Sequence, residues 1–135
     1  MHYVYSRPSV ELKGNTGLVI FIHGFPDSWF LWNHFLRSSE LKNTATLVAV
    51  DLPGFGGSDD LDLYDANHVL EAVGEFIVRM REMYASVGDS GQAPVVIVGH
   101  DWGATIGFRL ASEAPVLADR FILSNSLHVS LEYPA

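Results

Sequence analysis

A strand, a tight turn and a helix follow one another over residues 93–114, and this unit constrains the fold more than any other segment. Residues 93–98 form an apolar, β-branched run that is typical of a buried strand. The turn GHDWG occupies residues 99–103, and an apolar helical stretch then runs to residue 114, before Pro115. Small residues two positions before and after Asp101 allow that residue to occupy a strained strand-to-helix turn, the geometry called a nucleophile elbow. Here the elbow carries a carboxylate in place of the usual serine.

Strand-like and helical patterns alternate along the rest of the chain. Strands are predicted over residues 2–6, 18–23, 45–51 and 119–124, and helices over residues 28–41 and 64–87. The apolar face of the second helix consists of Val69, Val73, Phe76, Ile77, Met80, Met83 and Tyr84. Such alternation implies an α/β fold, with a mostly parallel sheet and helices on both faces. We expect one domain over residues 1–135.

The last predicted strand has little chain after it. Only eleven residues follow Ser124, so we expect this strand to form an uncovered edge of the sheet. An apolar, unprotected edge favours pairing with a second copy or with a partner chain.

Charge and composition exclude several classes of function. The chain has 16 acidic and 8 basic residues, a net charge of −8 and no basic run, which argues against nucleic acid and anionic membranes as partners. It contains no cysteine, which excludes disulfides and thiolate catalysis. Its longest apolar run, residues 18–22, is far shorter than the roughly 18 residues of a membrane span. The N-terminus lacks the pattern of a signal peptide, so we expect a cytoplasmic location.

A carboxylate at an elbow supports a particular chemistry. An aspartate has a reference pKa of about 3.9 and is ionised at neutral pH without a base. It can attack a saturated carbon that bears a leaving group, which gives an alkyl ester of the enzyme. Hydrolysis of this ester generates an oxyanion, for which the backbone amides of Trp102 and Phe25 are the candidate donors, with Pro26 fixing the turn that aims the Phe25 amide. The alternative is that Asp101 is a solvated turn residue or the N-cap of the following helix.

Other polar clusters have simpler explanations. The acidic stretch Asp59, Asp60, Asp62 and Asp65 lacks the glycine and terminal glutamate of a calcium loop. Residues 54–57 (GFGG) lack the spacing of a dinucleotide-binding fingerprint. We therefore expect neither a metal nor a cofactor.

Three motifs together resemble the α/β-hydrolase fold and, within it, the epoxide hydrolases. They are HGFPDSW at residues 23–29, DLPGFGGSD at residues 51–59, and GHDWG at residues 99–103. They occur in the family's order and, together with the stretches between them, span most of the chain.

This resemblance implies the roles of individual residues. Asp101 would be the nucleophile that opens a small apolar epoxide to a diol, and the amides of Phe25 and Trp102 would form the oxyanion hole. The residues that support these motifs are His23, Gly24, Pro26, Gly99, His100 and Gly103. We expect His23 and His100 to shape their loops and not to titrate in catalysis.

The family's remaining machinery has no counterpart among these motifs. Epoxide hydrolases also use a histidine that activates water, an acid that orients it, and two cap-domain tyrosines, all of which would follow the residues of this chain. The resemblance thus implies the N-terminal half of a catalytic domain, ending after about the sixth strand and without a cap. Residues 125–128 (NSLH) resemble the family's Asn-x-Pro-His segment with Leu127 in place of proline, and we interpret His128 as structural.

Alternative functions follow from the same residues. A haloalkane dehalogenase shares the aspartate nucleophile, and Trp102 would then donate its indole N–H to a halide. Haloacetate-type enzymes carry an arginine where this chain has Trp102, and an esterase needs serine at position 101. A third alternative is a non-catalytic, truncated remnant or accessory protein.

Overall fold

The computed structural model describes residues 1–8, 16–85, 87–88 and 91–126. In chain order its strands are β1 (Tyr3–Ser6), β2 (Gly17–Ile22), β3 (Ala45–Val50), β4 (Val87–Gly88), β5 (Gly91–Gln92), β6 (Val95–His100) and β7 (Arg120–Ser124). Five of them form one sheet in the order β1-β3-β2-β6-β7, while β4 and β5 form a separate short hairpin. Strand β1 is antiparallel to β3, and the other pairs in the sheet are parallel. The predicted mostly parallel sheet is confirmed.

The register of the parallel strands brings three loops together at one edge of the sheet. Ile22 in β2 lies opposite Val50 in β3 and opposite Gly99 in β6. The residues that directly follow these strands therefore meet at their carboxyl ends. Binding sites of open α/β sheets form at such ends.

The helices are α1 (Asn33–Leu36), α2 (Ser39–Lys42), α3 (Ala66–Tyr84) and α4 (Trp102–Glu113), with 3-10 turns at Trp29–Trp32 and Pro115–Leu117. The single helix predicted over residues 28–41 is wrong, because the chain forms three short pieces there. Ser28 accepts a hydrogen bond from the amide of Phe30, and Ser38 accepts one from the amide of Leu41. Serine side chains that bond nearby amides interrupt a helix and start the next one.

Helix α3 is shorter than residues 64–87, the predicted range. It begins after Asp65, whose carboxylate accepts a hydrogen bond from the amide of His68 at 2.8 Å as an N-cap. The four buried residues of the helix are Val73, Phe76, Ile77 and Met80. The placement of Met83 on the buried face is wrong, since its side chain is 59% exposed. Met83 lies at the margin of the 3.6-residue stripe, in the last turn of the helix.

Helices cover both faces of the sheet, but unevenly. Helices α3 and α4 pack on one face, over a core that includes Ile20, Val48 and Ile97. On the other face Trp32 and Leu36 cover Phe21, Leu47 and Ala49. Strand β7 lies at the edge, as predicted, with Ile122 57% exposed. Within the residues described, no helix is long and apolar enough to cross a membrane.

Candidate active site

The turn between β6 and α4 holds Asp101 in a strained backbone conformation. Its φ is 56° and its ψ is −118°, a region that residues other than glycine rarely occupy. The amide of Asp101 donates to the carbonyl of Ser124 at 3.1 Å, and its carbonyl accepts from the amides of Ala104 and Thr105 at 3.0 and 3.1 Å. These hydrogen bonds anchor the strained residue to β7 on one side and to α4 on the other.

Close backbone contacts explain the small residues around this turn. A Cβ atom at Gly103 would collide with the carbonyl of Ile22, and one at Gly99 would lie 2.7 Å from the carbonyl carbon of Gly103. A Cβ atom at Gly24 would collide with the side chain of Asp101. The three glycines therefore let β2, the turn and the Asp101 carboxylate approach one another closely.

The Asp101 carboxylate lies against the backbone amides on either side of it. The amide of Phe25 donates to Oδ2 at 3.1 Å, and the Phe25–Pro26 peptide bond is cis. Hydrogen bonds from the amides of Trp102 and Phe25 hold the pKa of Asp101 below its ordinary value, against the opposing effect of partial burial. The two amides expected from the sequence thus both reach the same carboxylate.

The N-cap alternative for Asp101 does not match this geometry. An N-cap aspartate accepts a hydrogen bond from the second or third residue of its helix. Asp101 precedes α4, but its side chain makes no such capping bond.

The two histidines beside the motifs differ in their surroundings. His23 is fully buried, and its Nε2 accepts a hydrogen bond from the amide of Leu52 at 2.9 Å. Its Nδ1 therefore carries the proton and donates to the carbonyl of Gly24 at 2.7 Å, which fixes a neutral tautomer. His100 is half-buried, and its Nδ1 has no hydrogen-bond partner among the residues described.

A cavity of about 650 Å³ opens beside the elbow. It lies between the loop after β3 and the first turns of α3 and α4. Its lining is mainly apolar and includes Phe25, Phe55, Leu70, Trp102 and Ile106. Because Phe25 and Trp102 also supply the amides at Asp101, the cavity adjoins the carboxylate and suits an apolar ligand.

The sequence analysis assigned no role to Asp51, a fully buried carboxylate at the end of β3. Its Oδ1 accepts from the amide of Trp29 at 2.7 Å, and its Oδ2 accepts from the amide of Gly57 at 2.9 Å and contacts Nδ1 of His2 at 2.7 Å. Burial alone would raise the pKa of Asp51, but these hydrogen bonds outweigh it and the pKa lies below its ordinary value. The available signal was an acidic residue directly after a strand whose residues are apolar except for Thr46.

Other residues singled out in the sequence take different positions. Asp65 caps α3, and Asp60 accepts a hydrogen bond from the hydroxyl of Tyr64 at 2.8 Å. In the described part of the chain, no group of three or more acidic or histidine side chains is arranged to hold a metal ion. Leu127 and His128 lie outside the described residues, so the interpretation of His128 stays a prediction.

Known proteins that are similar to this chain in sequence or in fold include epoxide hydrolases. "Epoxide hydrolase 3" of Mus musculus is 30% identical over 134 residues, which cover 97% of this chain and 32% of that protein. The crystal structure of an epoxide hydrolase mutant from Bacillus megaterium has a TM-score of 0.70 at 29% identity, covering 94% of this chain and 39% of that one. An epoxide hydrolase from Vigna radiata has a TM-score of 0.78 at 21% identity, covering 99% of this chain and 39% of that one.

The chain therefore spans about a third of the length of the curated relatives it matches. A model of the family described as "Alpha/beta hydrolase family" matches residues 19–133, which include all three motifs, most of β2 and the elements from β3 to β7. Sheet order, elbow and family match agree, and the chain belongs to the alpha/beta hydrolase family.

Proposed function

We propose that Asp101 is the nucleophile of an epoxide hydrolase-like reaction. The observation that carries this proposal is the hydrogen bond from the Phe25 amide to Oδ2 at 3.1 Å. The amide of Trp102, on the other side of the carboxylate, also lowers the pKa of Asp101. With Oδ2 engaged in this way, we assign the attack to Oδ1. The lowered pKa keeps the carboxylate ionised at neutral pH.

The first step forms an ester between Asp101 and the substrate. Oδ1 attacks one carbon of the epoxide, the bond from that carbon to the epoxide oxygen breaks, and the released alkoxide takes a proton from solvent. In the second step water adds to the ester carbonyl, and the amides of Phe25 and Trp102 stabilise the oxyanion that forms. Collapse of this intermediate releases a diol and restores the carboxylate.

The proposed substrate is a small apolar epoxide. The mainly apolar cavity beside the elbow supports this choice, and so do the relatives, which are named as epoxide hydrolases. No residue of the three motifs supplies a base for the attacking water. We therefore expect the isolated chain to react once with an epoxide and to retain the ester.

Intact mass spectrometry tests this proposal. The full chain is incubated with styrene oxide at neutral pH, and we expect one added epoxide per chain. Asp101→Asn is expected to remove the adduct, whereas the control Asp62→Asn, at an exposed position of the acidic loop, retains it. An adduct on Asp101→Asn would overturn the nucleophile assignment, and release of many diols per chain would overturn the single reaction.

A haloalkane substrate is the second candidate, supported by the exposed Trp102 side chain on the cavity wall. We favour the epoxide because Phe25 offers only its backbone amide where dehalogenases often carry a second side-chain donor. Incubation with 1-bromohexane distinguishes the two, since a faster adduct than with styrene oxide would favour halide displacement. No adduct from either compound would favour a non-catalytic chain.

A further inference from the structure

Two buried polar side chains connect the loop that carries the Phe25 amide to a neighbouring loop. We call residues 23–29 the amide loop and residues 51–58 the glycine loop. His23 of the amide loop accepts the amide hydrogen of Leu52 in the glycine loop at 2.9 Å. Asp51 of the glycine loop accepts the amide hydrogen of Trp29 in the amide loop at 2.7 Å. Each loop thus satisfies a backbone donor of the other, at the two ends of the segment that contains Phe25.

The carboxylate of Asp51 is itself rigidly held. Besides Trp29, it accepts from the amide of Gly57 and contacts Nδ1 of His2. The hydroxyl of Ser58 donates to the carbonyl of Asp51 at 2.6 Å and accepts from the amide of His2 at 2.8 Å. A Cβ atom at Gly56 would collide with the carboxylate. These contacts hold Oδ2 and the backbone of Asp51, and they thereby also restrict Oδ1 and the Trp29 amide that is bound to it.

We propose that Asp51 is a positioning residue that sets the Phe25 amide against Asp101. It acts through the far end of the amide loop, while His23 holds the near end, and Phe55 of the glycine loop packs edge-on against the rings of both His23 and Phe25. Weakening the Asp51 contacts lets the loop shift, and the bond from Phe25 to Oδ2 at 3.1 Å loses strength steeply with distance. The inference rests on the proposed function of Asp101.

Asp51→Asn tests this role in the full chain, because it keeps one acceptor oxygen but presents an NH₂ group to another donor. The first readout is the carboxyl ¹³C titration of Asp101, whose pKa we expect to rise toward the ordinary aspartate value. The second uses the styrene oxide adduct, which hydroxylamine cleaves by attack on the ester carbonyl, leaving a hydroxamate on Asp101 and releasing the alcohol. That cleavage passes through the oxyanion, and we expect it to slow by about tenfold or more.

Val73→Ala is the matched control, because it removes buried apolar volume in α3 and lowers stability without changing a residue of either loop or a polar contact of Asp51. We expect it to change neither the Asp101 titration nor the cleavage rate. If Asp51→Asn does not fold, His2→Ala removes one contact to Oδ2 at a partly exposed position and is expected to shift both readouts in the same direction, but less.

The outcomes separate the two proposals. Failure of the wild-type chain to form an adduct overturns the role of Asp101. If adducts form and the folded Asp51 variant keeps the wild-type titration and cleavage rate, Asp51 is merely structural and the inference is overturned.

Discussion

Asp51 and Asp101 occupy equivalent places in the sheet but differ in what surrounds them. Asp51 directly follows β3, and Asp101 directly follows β6. Each carboxylate accepts backbone amide hydrogens, and the pKa of each lies below its ordinary value. Asp51 is fully buried and has partners on both oxygens, whereas Asp101 is half-buried, has a positive φ and directly precedes Trp102, which lines the cavity. A lowered pKa alone therefore does not identify a nucleophile. Access and backbone strain distinguish Asp101, the proposed nucleophile, from the buried Asp51.

The largest expected effect comes from crowding the carboxylate of Asp101, the proposed nucleophile. Gly24→Ala places a Cβ atom against the Asp101 side chain and displaces it. We expect the rate of alkylation by styrene oxide to fall by about a hundredfold, since small misplacements of reacting groups cost that much. Gly74→Ala is the control, because nothing lies within 4 Å of the added Cβ in α3. Equal alkylation rates for the two variants would contradict the close approach of Gly24 to Asp101.

The second effect concerns stability and compares the two carboxylates directly. We expect Asp51→Asn to lower the free energy of unfolding by about 2 kcal/mol, because it leaves a partly buried amide without its acceptor. Asp101→Asn is expected to change it by about 0.5 kcal/mol or less, since asparagine tolerates a positive φ as well as aspartate does. Urea unfolding at neutral pH measures both. A larger loss for Asp101→Asn would reverse the assignment of structural and reactive roles.

The third effect concerns self-association through the edge strand β7. Asp101 lies close to this edge, because its amide donates to the carbonyl of Ser124 at the end of β7, whereas Asp51 follows a strand with neighbours on both sides. We expect the chain to self-associate through this edge, and Ile122→Lys to weaken the association by about tenfold, as for the loss of one buried apolar side chain. Sedimentation velocity over a range of concentrations measures this. A chain that stays monomeric at every concentration would refute the edge contact.

The smallest effect concerns the pH dependence of the alkylation rate, which we expect to be flat near neutral pH. The amides of Trp102 and Phe25 lower the pKa of Asp101, so the reactive carboxylate persists as the pH falls toward its ordinary pKa. We expect the alkylation rate to stay constant from pH 7 to about pH 5 and to decline only as the pH falls through the lowered pKa. A decline between pH 7 and pH 5 would instead indicate a raised pKa at the nucleophile.

Prediction from sequence succeeded where the pattern is local and strong. The strand predicted over residues 93–98 forms two residues later, over Val95–His100, and the turn at Asp101 and the helix after it form as expected from two glycines and helical spacing. The prediction failed over residues 28–41, where the spacing of the aromatic residues suited a single helix. There the side chains of Ser28 and Ser38 accept hydrogen bonds from nearby amides, and the segment forms short helical pieces. The prediction also gave Asp51 no role, because the donors that this carboxylate binds come from residues 2, 29 and 57.

The sequence by itself determined the alternation of strands and helices, the carboxylate at the elbow and the small residues around it, because these depend on neighbours a few positions apart. The motifs named the Phe25 amide as a candidate donor, but the tertiary structure brings it within hydrogen-bond distance of a carboxylate 76 positions away. The tertiary structure alone decided that Asp51 joins three segments. These contacts depend on β2 lying between β3 and β6 in the sheet. Strand order is a property of how the whole chain packs, and no local pattern encodes it.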